Sequence, residues 1–401
     1  MVAKFIDRIF QDYVSKYKKD YKEIDYQKFI NILEESIDIA RSNYEKIKSP
    51  KTSSLNLYLR IWINNSLEAE LMKVRIARFY LLASYRSTGR YFTIFPYDSH
   101  IELNIKLFDA PINERPNTWR DFNLPMKEIE KRFINMTFER IEHGKIEGFK
   151  SYVDMFLSKY KIPEDEFIRF QANFDNFIDY SNKILPEINN LPDWFYSNFN
   201  LPCYMCLLST MPFKYLDEVL IFIEKEYPVL RRYKNKIGIK VGDSRRMAYL
   251  LEEDFFEIHL SKYDNINHQS ITLIHELGHV NNYLSYFKKG IDPLVMGKHV
   301  IESQALEFEM SILKKISDLA YRSFFADILL VFRRILFEIE IYKNPNQNLS
   351  KLYAETFNRC FKGAKQKENP LYILDDQIVL KPFNSLPHAV AAGNLISRNI
   401  R

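Results

Sequence analysis

Apolar residues recur every three or four positions over most of this 401-residue chain, and strict alternation is rare. From Phe5 to about Tyr85 the spacing predicts helices, as in Phe29, Leu33, Ile37 and Ala40 and again in Leu67, Leu71, Val74, Leu81 and Leu82. Ser49-Pro50-Lys51-Thr52 interrupts that run. The period becomes two at Ile101, Leu103, Ile105 and Leu107, which predicts a half-buried strand. A polar stretch with Pro111, Pro116 and Pro125 follows as a long loop. Helical spacing returns from Met126 to about Glu142 and from Phe149 to Tyr160. Pro163 followed by Glu164, Asp165 and Glu166 is a helix start, because proline fits the first turn and acids suit the positive end of the helix dipole. Prolines and asparagines between Leu185 and Pro202 predict an irregular stretch, and a domain boundary is placed there, dividing 1–195 from 196–401.

Strand-forming residues return from Phe255 to Leu260, then a loop from Asp264 to His268, then a helix with Ile271, Leu273, Ile274, Leu277 and Val280 on its apolar side. A strand just before a helix can offer its edge to an extended peptide, which makes Glu257, Ile258, His259, Leu260 and Ser261 candidate substrate-binding positions. The alternative is an interior strand in which His259 is simply hydrogen-bonded. The pattern as a whole predicts a mainly α protein with a small sheet.

Composition narrows the class. The 26 Tyr and 31 Phe against 10 Gly suit helical packing better than a turn-rich sandwich. The net charge of +5 is spread thinly, which argues against a nucleic-acid partner. The amino terminus carries Lys4, Asp7 and Arg8 and lacks the apolar core of a signal peptide. The most apolar run, Ile328 to Leu336, is broken by Arg333 and Arg334, so no membrane span is expected and the cytoplasm is the predicted location. Three cysteines are too few for a disulfide framework, and Cys203-Tyr204-Met205-Cys206 lacks the strand-to-helix context of a redox motif.

The chemistry concentrates in His275-Glu276-Leu277-Gly278-His279. Histidines four apart on a helix point the same way, so both imidazoles can hold one Zn2+ ion. Glu276, beside the first histidine, is placed to take a proton from an attacking water. A catalytic zinc needs a third protein ligand. The position six residues after His279, where metzincins keep a histidine, is Ser285, so that class is excluded. The amphipathic helix marked by Ala305, Phe308 and Ile312 carries Glu302 and Glu309 seven residues apart. One of the two can bind the metal while the other orients a ligand histidine, and His299 is a rival ligand.

Met247-Ala248-Tyr249 and the run from Phe256 to His279, FEIHLSKYDNINHQSITLIHELGH, resemble the oligoendopeptidase F and thimet oligopeptidase family. The third ligand in that family is a glutamate at a separation matched by Glu302, 27 residues after His275, and a second glutamate is matched by Glu309. The resemblance implies a helical zincin-like metallopeptidase with a small β-sheet beside the active-site helix and a cleft walled by helices. It also implies His275, His279 and Glu302 as ligands, Glu276 as general base, and short or unfolded peptides as substrates. On this reading 1–195 form a wall of the cleft and 196–401 the catalytic region. Glu302-Ser303-Gln304 and Asp243-Ser244-Arg245 are similar to motifs of the carboxypeptidase Taq family, as are Ser385-Leu386-Pro387-His388 and Gly393-Asn394-Leu395. Both families stabilise the tetrahedral intermediate with a carboxy-terminal tyrosine, or a tyrosine and histidine. The matching stretch here has His388 and no tyrosine, which makes His388 the candidate, with Tyr372 behind it. A carboxypeptidase would use a cation such as Arg245 for the terminal carboxylate. A metal-binding scaffold without activity is the other alternative.

Overall fold

A computed structural model of the protein describes residues 130–185 and 211–400, apart from short gaps, together with isolated positions 114 and 117. The predicted helices between Phe5 and Tyr85, the strand at Ile101 to Leu107, most of the proline-bearing stretch after it, the irregular stretch up to Pro202, the Cys203 and Cys206 pair and Arg245 lie outside the described residues.

Local rules set the first described helices. α1 spans Tyr152–Tyr160, and α2, Glu164–Ala172, begins directly after Pro163 with the three acids in its first turn, as their order predicts. α3 covers Phe174–Ile184, α4 Leu216–Glu226 and α5 Pro228–Arg232. Three strands follow: β1, Ile237–Gly242; β2, Met247–Glu252; and β3, Phe255–Ser261. The longer helices that follow among the described residues are α6, Ile266–Lys288; α7, Lys298–Ile316; α8, Asp318–Lys343; α9, Leu349–Cys360; and α10, Leu386–Ile400. The fold is mainly α with one small sheet beside the helix that carries His275 to His279.

The sheet order is β1-β3-β2, with β1 parallel and β2 antiparallel to β3. Phe256, Ile258 and Leu260 point inward and are fully buried. Glu257 and His259 alternate onto the other face, as the two-residue period of a strand requires. This order corrects the expectation that Glu257 to Ser261 offers a free edge. β3 is the middle strand, and its backbone groups are already paired with Ile237 to Gly242 on one side and with β2 on the other. The weighed alternative is what the structure shows: His259 Nε2 lies 2.5 Å from Glu257 Oε1, and Lys240 Nζ lies 2.6 Å from the same carboxylate.

α6 is covered on nearly all sides rather than along one stripe, burying Leu273, Ile274, Leu277, Gly278, Val280 and Leu284. β3 lies against it, with Phe256 stacked on Tyr283 at 6.3 Å. On another side α7 comes so close that a Cβ added at Gly278 would stand 3.0 Å from Ala305 Cα and 3.1 Å from its carbonyl oxygen. The absence of a side chain at Gly278 therefore sets the distance between the helices that carry the histidines and the glutamates.

The chain divides into two compact units, one of 1–155, 338–353 and 368–383, the other of 156–337, 354–367 and 384–401. α2 and α3 pack with the unit that holds α6 and α7. Phe170 and Phe177 close on Phe332 at 5.8 and 6.1 Å, and Gly393 of α10 admits both rings. Within the other unit, the Tyr152 and Tyr342 rings meet at a tilt with centroids 4.5 Å apart, and Arg140 donates to the Tyr342 hydroxyl at 3.1 Å. Tyr372 also belongs there. Its ring is fully buried and its hydroxyl donates to Glu130 at 2.7 Å, so it is committed to that core rather than to a reacting group.

Candidate metal centre

One turn separates His275 from His279 on α6, and their rings stand edge to face with centroids 4.8 Å apart. His275 Nε2 and His279 Nε2 are 3.2 Å apart. Glu302, from α7, brings its Oε2 to 3.6 Å from each of these nitrogens. Zinc bonds of about 2.0–2.1 Å in a tetrahedron put neighbouring donor atoms roughly 3.3–3.4 Å apart, so the triangle has the size that one zinc ion requires. Two nitrogen lone pairs and a carboxylate oxygen aimed at one point repel unless a proton or a cation lies between them. The donor set and its dimensions thus fit the metal.

Glu309, seven residues beyond Glu302 and on the same side of α7, accepts from His275 Nδ1–H at 2.8 Å. That bond fixes the tautomer and turns the Nε2 lone pair toward the cluster. Among the described residues His279 has no such orienting group: its Nδ1 is buried without a hydrogen-bond partner there. The rival ligand His299 lies elsewhere, its Nε2 3.0 Å from Glu166 Oε2.

Burial opposes a positive charge on His275, but hydrogen bonds to Glu302 and Glu309 outweigh it and raise its pKa well above the usual imidazole value. At His279 burial prevails and pushes the pKa down to about 4. Burial works against ionised Glu302 too, yet the neighbouring histidines hold its carboxyl well below the usual range. In the metal-free centre at neutral pH His275 is therefore held as an imidazolium between carboxylates, and His279 is neutral.

His388 approaches from α10, its Nδ1 3.6 Å from Glu302 Oε2 and its ring 5.8 Å from that of His275. The ligand-capable atoms of His275, Glu302 and His388 all lie within 4.8 Å of one another. Side-chain exposure rises from 8% at Glu309 through 12% at His279 and 18% at His275 to 28% at His388, so solvent reaches the cluster from the His388 side. Glu276 is buried and close enough for its charge to raise the pKa of both His275 and Tyr283. Tyr283, one turn past His279 with rings 6.5 Å apart, is a neighbour of the centre that motif spacing did not single out.

His275, Glu276, His279, Glu302, Glu309 and His388 all belong to one unit and come together. Glu257 to Ser261 form the interior strand described above, and Arg245 lies outside the described residues. Among the described residues no helix is long and apolar enough to cross a membrane.

No family model matches the chain, and no curated protein matches it. A solved structure at 3.1 Å of a protein provisionally assigned as oligoendopeptidase F is similar at 11% sequence identity, over 96% of this chain and 76% of that one, with a TM-score of 0.46. That likeness is too faint to assign chemistry, and the centre must be read from its own atoms.

Proposed function

We propose that this protein is a zinc-dependent peptidase that hydrolyses short or unfolded peptides. The observation that carries the reading is the convergence of His275 Nε2, His279 Nε2 and Glu302 Oε2 at 3.2–3.6 Å, with Glu309 locked onto the back of His275. These three residues would hold the metal. A zinc ion there supplies Lewis-acid chemistry, bringing the ionisation of a water toward neutrality. Glu276 takes the proton from the attacking water and returns it to the departing amine. A ring N–H of His388, on the solvent side, donates to the carbonyl oxygen as negative charge develops. Any pairing of an extended peptide with the sheet would use the outer edge of β1 or β2, since β3 has none to offer.

The test is cleavage of internally quenched peptides by zinc-loaded protein, with Glu276→Gln as the comparison. Zinc stoichiometry should be unchanged in Glu276→Gln, while turnover should fall by about 10²–10⁴-fold. Equal turnover would reject the catalytic model.

The alternative grouping of His275, Glu302 and His388 favours a second reading, a metal-holding scaffold in which His388 completes the ligand set. His388→Ala separates the two. The peptidase reading expects the metal to stay and turnover to drop, and the scaffold reading expects the metal to be lost.

A further inference from the structure

Glu166 sits outside the ligand set, in the first turn of α2, and joins two helices that enter it. Its Oε2 accepts from His299 Nε2 at 3.0 Å, and its Oε1 accepts from the Asn394 side-chain amide. His299 lies on α7 one turn before Glu302, and Asn394 lies on α10 six residues after His388. One carboxylate thus touches both helices whose residues meet at Glu302 Oε2.

Each donor stands beside a glycine that permits the approach. A Cβ at Gly297 would come within 2.5 Å of His299 Cε1 and 2.8 Å of its Nδ1. At Gly393 it would come within 2.7 Å of Phe170 Cδ2 and 2.8 Å of Phe177 Cε2. The His299 side chain is 5% exposed, and that of Glu166 17%. Hydrogen bonds to a carboxylate so shielded from water are stronger than the same bonds at the surface. The Arg398–Glu307 pair also links α7 to α10, at 3.4 Å, but both side chains are more than half exposed, and such pairs contribute little.

We propose that Glu166 is a positioning residue of the metal centre, its carboxylate setting the spacing of Glu302 on α7 and His388 on α10 by accepting from both helices. The inference rests on the metal-site reading above. Gly278 sets how closely α6 and α7 approach, and Glu166, through His299, sets where the turn of α7 that carries Glu302 stands and where α10 lies beside it.

The experiment uses the full-length protein, with zinc affinity measured by chelator competition and folding by thermal melting. Glu166→Ala should bind zinc roughly tenfold more weakly, the scale seen when outer partners of metal ligands are removed. Glu166→Gln should keep most of the affinity, because its amide oxygen can accept from His299 while its N–H donates to a turned Asn394 amide. If Glu166→Ala does not fold, Asn394→Ala removes one bond only and carries the same expectation at smaller size. Wild-type zinc affinity in a folded Glu166→Ala or, failing that, Asn394→Ala variant would overturn the inference. So would a lowered melting temperature with no change in affinity. Failure of the unmodified protein to bind zinc would instead overturn the metal-site reading and this inference with it.

Discussion

Burial alone would strip the proton from His275, yet Glu302 and Glu309 keep it there, and this has a measurable consequence. Metal must displace that proton, so apparent zinc affinity should rise with pH by about one log unit per pH unit until the pKa of His275 is passed. Competition titrations across a pH series, with proton release followed in weak buffer, check this. His275 should contribute the opposite trend to the stability of the metal-free protein above its unfolded pKa of about 6.5. A histidine whose folded pKa is raised contributes stability that is full below the unfolded value near 6.5 and is lost as pH climbs through the folded value. Glu309→Ala removes the orienting acceptor at 2.8 Å and should weaken zinc binding by about 10–100-fold. At this scale the sequence was readable where spacing along a single helix decides geometry, as with His275, Glu276 and His279. Spacing alone could not rank Glu302, Glu309 and His299, which only the family resemblance ordered, because their roles depend on which partner each meets across a helix interface. Glu166 shows the same limit. Its place in a first turn suggested only a dipole-matched acid, and the structure gives it His299 and Asn394.

Helices α6 and α7 meet where Gly278 faces Ala305, and the contact leaves no room for a methyl group. Gly278→Ala should destabilise the fold by about 1–3 kcal/mol through overpacking, even though alanine is the better helix former. Because the same contact spaces His275 and His279 from Glu302, zinc affinity should fall together with the melting temperature. An unchanged affinity in a folded Gly278→Ala protein would mean that the helix spacing does not govern the site. Periodicity located α6 and α7 correctly, and it found the alternation of β3. It did not find the order of the strands. A strand with one polar face can sit at an edge or in the middle, and pairing with β1 and β2 is decided by segments distant from its own pattern. The cover of α6 on more than one side was equally hidden, since α7 and the sheet each cover a side that its apolar stripe does not mark.

Across the whole molecule, the six residues brought together at the centre come from α6, α7 and α10 of one unit, and that unit alone should respond to metal. Free zinc at about a hundred times its Kd should add about 2.7 kcal/mol to the stability of the folded state, and a chelator should remove it. Hydrogen exchange would place the change: protection should rise in α6 and α7 and stay constant around Tyr152, Tyr342 and Phe383 in the other unit. A uniform rise over both units would contradict a local site. The sequence by itself determined the helical class and, through a spacing of four on one helix, the two imidazoles and the acid between them. Those features follow from periodicities of 3.6 and 2.0 that act over neighbouring residues. Only the tertiary structure decided that Glu302 and not His299 faces the histidines, that His388 stands on the solvent side of the cluster, and that β3 is interior. Each of those depends on contacts between segments far apart in the chain, where packing and burial choose among partners that local spacing leaves equivalent.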